Sequence, residues 1–150
     1  LAVLIVGLTY GARLGAVTLV AYLAEGLMGL PVFAGGMNGI AFAGPTAGFL
    51  VGFVGMAAIA GYAADRGVKG LVPTALVSLL ASALLYVPGV AWAMSLAKVA
   101  GLDTAAWGAD NLGMVWQYYM APFLMGDVVK AVVAALIVTG GWAVLKGRKS

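Results

Sequence analysis

Asp127 and Lys130 are the residues of this chain best placed to do chemistry. They lie in Pro122-Phe123-Leu124-Met125-Gly126-Asp127-Val128-Val129-Lys130, at the mouth of an apolar stretch running from Val128 to Leu145. An ionised carboxylate only accepts hydrogen bonds and an ammonium only donates them. Together they can bind something that carries both donors and an anionic tail. Three residues apart, they project from one face of a helix, about one turn from each other. Charged groups inside membrane segments are costly, rare and usually functional. The competing reading is structural: an intrahelical ion pair with Asp127 near the N-terminus, where the helix dipole favours an anion.

Composition narrows the chemistry further. The 150 residues are 64% hydrophobic and only 9% charged, with a mean hydropathy of +1.10. Soluble domains carry about 25% charged residues, so too few charges remain here to cover a globule of this size. The fold expected is all-α, a polytopic helical bundle in a membrane. Cysteine and histidine are absent, which removes thiol chemistry, disulfides and any histidine-based metal site or general base. The acids are Glu25, Asp65, Asp103, Asp110 and Asp127, too scattered for a carboxylate metal cluster. Hydrolytic or redox chemistry is a poor fit, and no cofactor is expected. The net charge of +3 comes from loop residues and does not point to nucleic acid.

The elements that must position the pair follow from the breaks between apolar runs. Leu1–Tyr10 is about half of the ~20 residues that cross a bilayer and has no basic n-region or cleavage motif. It is expected to be the tail of a helix that begins upstream. Gly11–Leu30 forms a span, Pro31–Gly44 a glycine-rich loop, and Pro45–Ala64 the next span, closed by Asp65-Arg66-Gly67-Val68-Lys69-Gly70. Leu71–Val87 follows, with Pro88-Gly89 expected to kink it or end it before Val90–Val99. Gly101–Pro122 is less apolar, and the last span runs from about Gly126 to Leu145. Threaded alternately, these spans put Arg13, Arg66, Lys69, Lys146, Arg148 and Lys149 on one side and only Lys98 and Lys130 on the other. The positive-inside rule assigns the first side to the cytoplasm. Ser150 is then cytoplasmic, and the Pro31–Gly44 loop, the Gly101–Pro122 segment and the Asp127/Lys130 mouth meet on the outside.

Small residues recur at four-residue steps: Gly11 and Gly15, then Gly44, Gly48 and Gly52, Ser78 and Ser82, and Ala131 and Ala135. Such residues let helix backbones approach closely in lipid, either within one bundle or between protein partners. The aromatics Trp107, Trp116, Tyr118, Tyr119 and Phe123 are expected in the interfacial belt. Tyr86 and Trp92 flank the Pro88 bend and are the candidates for lining a cavity.

Three motifs in order carry a family resemblance: Gly29-Leu30-Pro31-Val32-Phe33-Ala34-Gly35-Gly36, Gly44-Pro45-Thr46-Ala47-Gly48-Phe49-Leu50-Val51-Gly52-Phe53, and the Pro122–Lys130 run. They resemble BioY, the substrate-binding S component of the biotin transporter in the energy-coupling factor (ECF) group. The resemblance extends over nearly the whole chain, with Gly101–Gln117 longer than usual. It implies six helices, of which about four complete ones and the tail of the second are expected here. Residues 1–150 would then be a single transmembrane domain, N-terminally incomplete. It further implies a multi-pass protein of the bacterial cytoplasmic membrane, no enzymatic activity, and partners in a transmembrane coupling protein and ATP-binding subunits, with a homo-oligomer left open.

Biotin's chemistry suits the residues. Its ureido ring offers N–H donors and a carbonyl, its bicycle is apolar, and its tail ends in a carboxylate. The expected site is Asp127 for the ureido N–H groups, Asn38 for the carbonyl and Lys130 for the carboxylate, among Phe33, Tyr86 and Trp92. Pockets of this kind are apolar with a few placed polar groups. The chain has no G-x-x-x-x-G-K-[ST] phosphate loop, so nucleotide hydrolysis would come from partners. The alternative is a self-sufficient, proton-coupled secondary transporter of a small carboxylated vitamin, with Asp127 as proton carrier.

Overall fold

A computed structural model describes residues 1–147. Arg148 and Lys149, on which part of the charge asymmetry rests, and Ser150 lie outside the described residues, as does the side chain of Lys146. The described chain is a helical bundle without extended strands. Its helices are α1 (Ala2–Leu27), α2 (Ala47–Asp65), α3 (Leu71–Ala91), the short α4 (Ala97–Val99) and α5 (Leu112–Val115), and α6 (Ala121–Gly147). Four stretches are long and apolar enough to cross a membrane: Ala2–Leu27, Ala47–Asp65, Leu71–Val99 and Leu112–Leu145.

The first of these is not straight. Gly11 breaks α1 at φ 81° and ψ 177°, a conformation that side-chain-bearing residues rarely adopt. The chain doubles back there, and a Cβ on Gly15 would lie 3.1 Å from the Gly7 Cα. Residues 2–10 and 12–27 are thus two arms, and the break falls between the Leu1–Tyr10 run and the Gly11–Leu30 span. The carboxylate of Asp65, at the end of α2, accepts the Ala12 N–H at 2.9 Å. It caps the second arm where unpaired amides and the helix dipole favour an anion.

The short arm is central. Leu4 and Leu8 are buried with Met56 and Ala60 of α2, Ala81 of α3, and Ala134 and Val138 of α6. Glycines make the neighbouring seams close. A Cβ on Gly7 would overlap the Ala57 carbonyl, and one on Gly61 the backbone of Gly11 and Ala12. On α2, Gly52 leaves room for Leu85 and Pro88 of α3, and Gly48 for Pro88, Gly89 and Trp92. On the other side of α3, Ser78 and Ser82 are buried, as are Ala131 and Ala135 of α6. The small residues named here therefore serve packing within the bundle.

Two boundaries differ from the sequence expectation. Pro88 and Gly89 do not end the third span: α3 passes through Pro88 to Ala91, and a π turn at Trp92–Leu96 leads into α4. The small α2 residues opposite accept the proline without a break. The last helix begins earlier than Gly126. α5 starts at Leu112, with Asn111 accepting the Met114 N–H at 3.0 Å as an N-cap. A second π turn at Trp116–Met120 then joins it to α6. Prolines and π turns are the usual sites of helix bending, and here they allow Pro122 inside a helical run.

Candidate ligand-binding site

A cavity of about 560 Å³ opens at the end of the bundle opposite the Gly11 turn. Its size falls within the range of small-molecule pockets. Five segments wall it: α1 through Tyr22, the loop after α1 through Phe33 and Met37, α2 through Phe49, Leu50 and Phe53, α3 through Leu85 and Tyr86, and the α5–α6 run through Tyr118, Tyr119, Phe123, Asp127 and Lys130. Nearly all of this wall is apolar or aromatic. The charge is confined to one place.

At that place the Lys130 ammonium lies 3.2 Å from Asp127 Oδ1, and the Tyr86 hydroxyl donates to Asp127 Oδ2 at 2.5 Å. The carboxylate is mostly covered, at 18% exposure, whereas the lysine side chain is 46% exposed. Two helices therefore hold Asp127: α6 by its own lysine one turn on, and α3 by Tyr86. The Tyr86 ring is met edge-on by Phe49 at 5.9 Å.

Phe33 belongs to the cavity because of a glycine. A Cβ on Gly26 would overlap its ring, so the ring sinks against α1 and is 4% exposed. Tyr22 and Phe42 meet it edge-on at 5.2 and 5.7 Å. The Tyr22 hydroxyl also donates to the Val32 carbonyl at 3.0 Å, which ties the loop down beside the cavity.

Of the six residues expected at the site, the structure gathers Asp127, Lys130, Phe33 and Tyr86 around the cavity. Asn38 and Trp92 stand apart from its lining. Asn38 spends its amide on the loop, donating to the Gly29 carbonyl and accepting the Ile40 N–H, both at 3.3 Å. Trp92 donates its indole N–H to the Gly44 carbonyl at 3.0 Å and packs against Gly48. The helix carries on through Pro88, so Trp92 ends up behind the wall, pinning the loop end to α3.

Three of the aromatics named for the interfacial belt also face the cavity. Tyr118, Tyr119 and Phe123 line the cavity, and the Tyr119 hydroxyl donates to the Trp107 carbonyl at 2.5 Å. A signal for this exists in the sequence. Tyr119, Phe123 and Asp127 are four apart, with Lys130 three further on, which is one face of a helix. Phe49, Leu50 and Phe53 repeat that spacing on α2, with Thr46 just before its start, and all of them line the cavity.

Comparison with known proteins gives this arrangement a context. A "Biotin transporter BioY" from Rhizobium etli is 40% identical over 98% of this chain and 75% of its own length. Another from Rhodobacter capsulatus is 35% identical over 91% of this chain and 73% of its own. The crystal structure of an S-component for biotin from an ECF-type ABC transporter superposes with a TM-score of 0.67. It covers 99% of this chain and 72% of the solved one at 21% identity, a likeness of fold. The BioY family model matches residues 1–147, and the chain belongs to the BioY family.

Proposed function

We propose that the protein captures biotin in the cavity beside Asp127 and acts as the substrate-binding S component of an ECF transporter that takes biotin across the membrane. The observation that carries this reading is the Lys130–Asp127 contact of 3.2 Å on the wall of an otherwise apolar cavity, in a chain of this family. A cavity lined by aromatic rings suits the apolar bicycle. The charged contact supplies its orientation.

The contact distance bears on which end of biotin it reads. Two groups that touch each other face one end of a ligand, not both. A cyclic urea presents an N–H and a carbonyl side by side, so its N–H donates to Asp127 while its carbonyl accepts from Lys130. The carboxylate then lies along the cavity, away from the pair. The arrangement expected from the sequence, in which Lys130 takes the carboxylate, is the alternative that the titration below distinguishes.

Calorimetric titration with biotin and with its neutral amide tests the reading. The unsubstituted protein should bind both, and Lys130→Met should weaken both alike. Loss of biotin affinity with the amide spared would restore the split-end arrangement. Failure of the unsubstituted protein to bind either would remove the function.

Energy would come from partners, a transmembrane coupling protein and ATP-binding subunits, because the chain carries no phosphate loop. Their co-purification with the protein is the expected result. Biotin uptake by the isolated protein driven by a proton gradient would instead favour the self-sufficient transporter. In this scheme the cavity opens to the outside, and a cysteine at position 37 should react with an impermeant label added externally.

A further inference from the structure

Asp127 makes a contact that the ion pair does not account for. Asp127 and Lys130 are one turn apart on α6 and could satisfy each other alone. Yet Tyr86, from α3, gives its only hydrogen to Asp127 Oδ2 and is 7% exposed. A phenol that donates there shows the cavity acceptor lone pairs only. The ring has little freedom to leave. Phe49 of α2 stands edge-on against it, and Phe49 in turn lies on Gly89, where a Cβ would overlap the Phe49 ring at three of its carbons.

We propose that Tyr86 is a positioning residue that holds the Asp127 carboxylate open toward the ligand, and that Phe49, seated on Gly89, holds Tyr86. The physical need is clear from the geometry. An unanchored carboxylate can turn about its own bond and present both oxygens to the neighbouring ammonium. With Oδ2 fixed from another helix, the carboxylate plane is set, and its remaining lone pairs stay available to N–H donors in the cavity. Gly89 touches no ligand in this scheme. It acts two side chains away, by leaving space for a ring.

The proposal rests on the biotin reading, and the experiment separates the two. Biotin affinity of the intact protein in detergent is measured for the unsubstituted chain, Tyr86→Phe, Gly89→Ala and the double variant, together with an analogue N-methylated on the ureido ring. Tyr86→Phe keeps the ring and removes the hydroxyl. It should weaken biotin about ten- to hundredfold, the weight of a hydrogen bond to a charged group. It should also reduce the preference for biotin over the N-methyl analogue, which a general packing defect would leave unchanged.

Gly89→Ala should weaken biotin by about three- to thirtyfold in the unsubstituted background and by much less in Tyr86→Phe, because residues in one chain of contacts do not add. If Gly89→Ala does not fold, Phe49→Leu replaces it in the same cycle. Full additivity, or a Tyr86→Phe affinity within about threefold of the unsubstituted protein with selectivity intact, overturns the positioning role while biotin binding stands. Absence of biotin binding in the unsubstituted protein overturns the function beneath it.

Discussion

The two ends of this bundle solve opposite packing problems with the same helices. At the Gly11 end, backbones meet through Gly7, Gly15 and Gly61, and Leu4 and Leu8 fill the centre. At the other end, Phe33, Phe49, Tyr86, Tyr119 and Phe123 hold the elements apart around about 560 Å³. In lipid, helices gain little from hydrophobic burial against one another, and close backbone contact takes its place. The tight end therefore stabilises the bundle, and the open end is free to use its side chains for recognition. Variants at the two ends should divide cleanly, in affinity at one and in stability at the other.

The largest separation should come from Asp127→Asn. Losing a hydrogen bond from the ligand to a charged group costs about 1.5–3 kcal/mol, or roughly 10- to 150-fold in biotin affinity, read by calorimetry. Thermal unfolding in detergent should shift little. A comparable loss of stability would make the pair a structural device and erase the contrast. Gly61→Val comes next and belongs to the opposite end. Its side chain would press into the Gly11–Ala12 backbone, and such overpacking costs about 1–3 kcal/mol. Unfolding should move accordingly, while the fraction that stays folded keeps its biotin affinity.

Asp65→Ala is a milder probe of the same end. It removes the carboxylate that accepts the Ala12 N–H, and losing such a cap costs about 0.5–2 kcal/mol of stability, again without a change in biotin affinity. The smallest effect should be that of Asn38→Ala. Its hydrogen bonds serve the loop, so the loss should be about 0.5–1.5 kcal/mol and should appear as less than a tenfold change in affinity. A loss as large as that of Asp127→Asn would mean that the loop rearranges to bring Asn38 onto the ligand.

Particular residues show how far the sequence alone can lead. The half-length of the Leu1–Tyr10 run and the glycine after it were enough to place a break at Gly11, because span length in a bilayer is fixed by geometry. Asp127 and Lys130 stood out because charge is rare in such a chain. Trp92 and Asn38 did not resolve in the same way. Proline next to glycine suggests a bend, but whether the helix survives depends on what faces it, and Gly48 and Gly52 lie some forty residues earlier in the chain. An asparagine in a loop is equally suited to a ligand carbonyl and to its own backbone. Tyr119 and Phe123 carry a signal in their four-residue spacing with Asp127, and Tyr118 carries none, since an aromatic near a membrane surface has two common uses and composition does not separate them.

The reversal at Gly11 has a consequence for the order in which the molecule comes together. It places Leu4 and Leu8 against Ala134 and Val138, so the short arm and α6 share one core. That core cannot close until α6 exists. During synthesis the short arm waits in lipid while α2 and α3 insert, and lipid tolerates the delay because its tails are as apolar as the missing partner. The tight α1–α2 seam, made from neighbours in sequence, can form early and wait. The binding cavity cannot be complete before α6 is in place, since its charged wall arrives on the same helix that seals the centre.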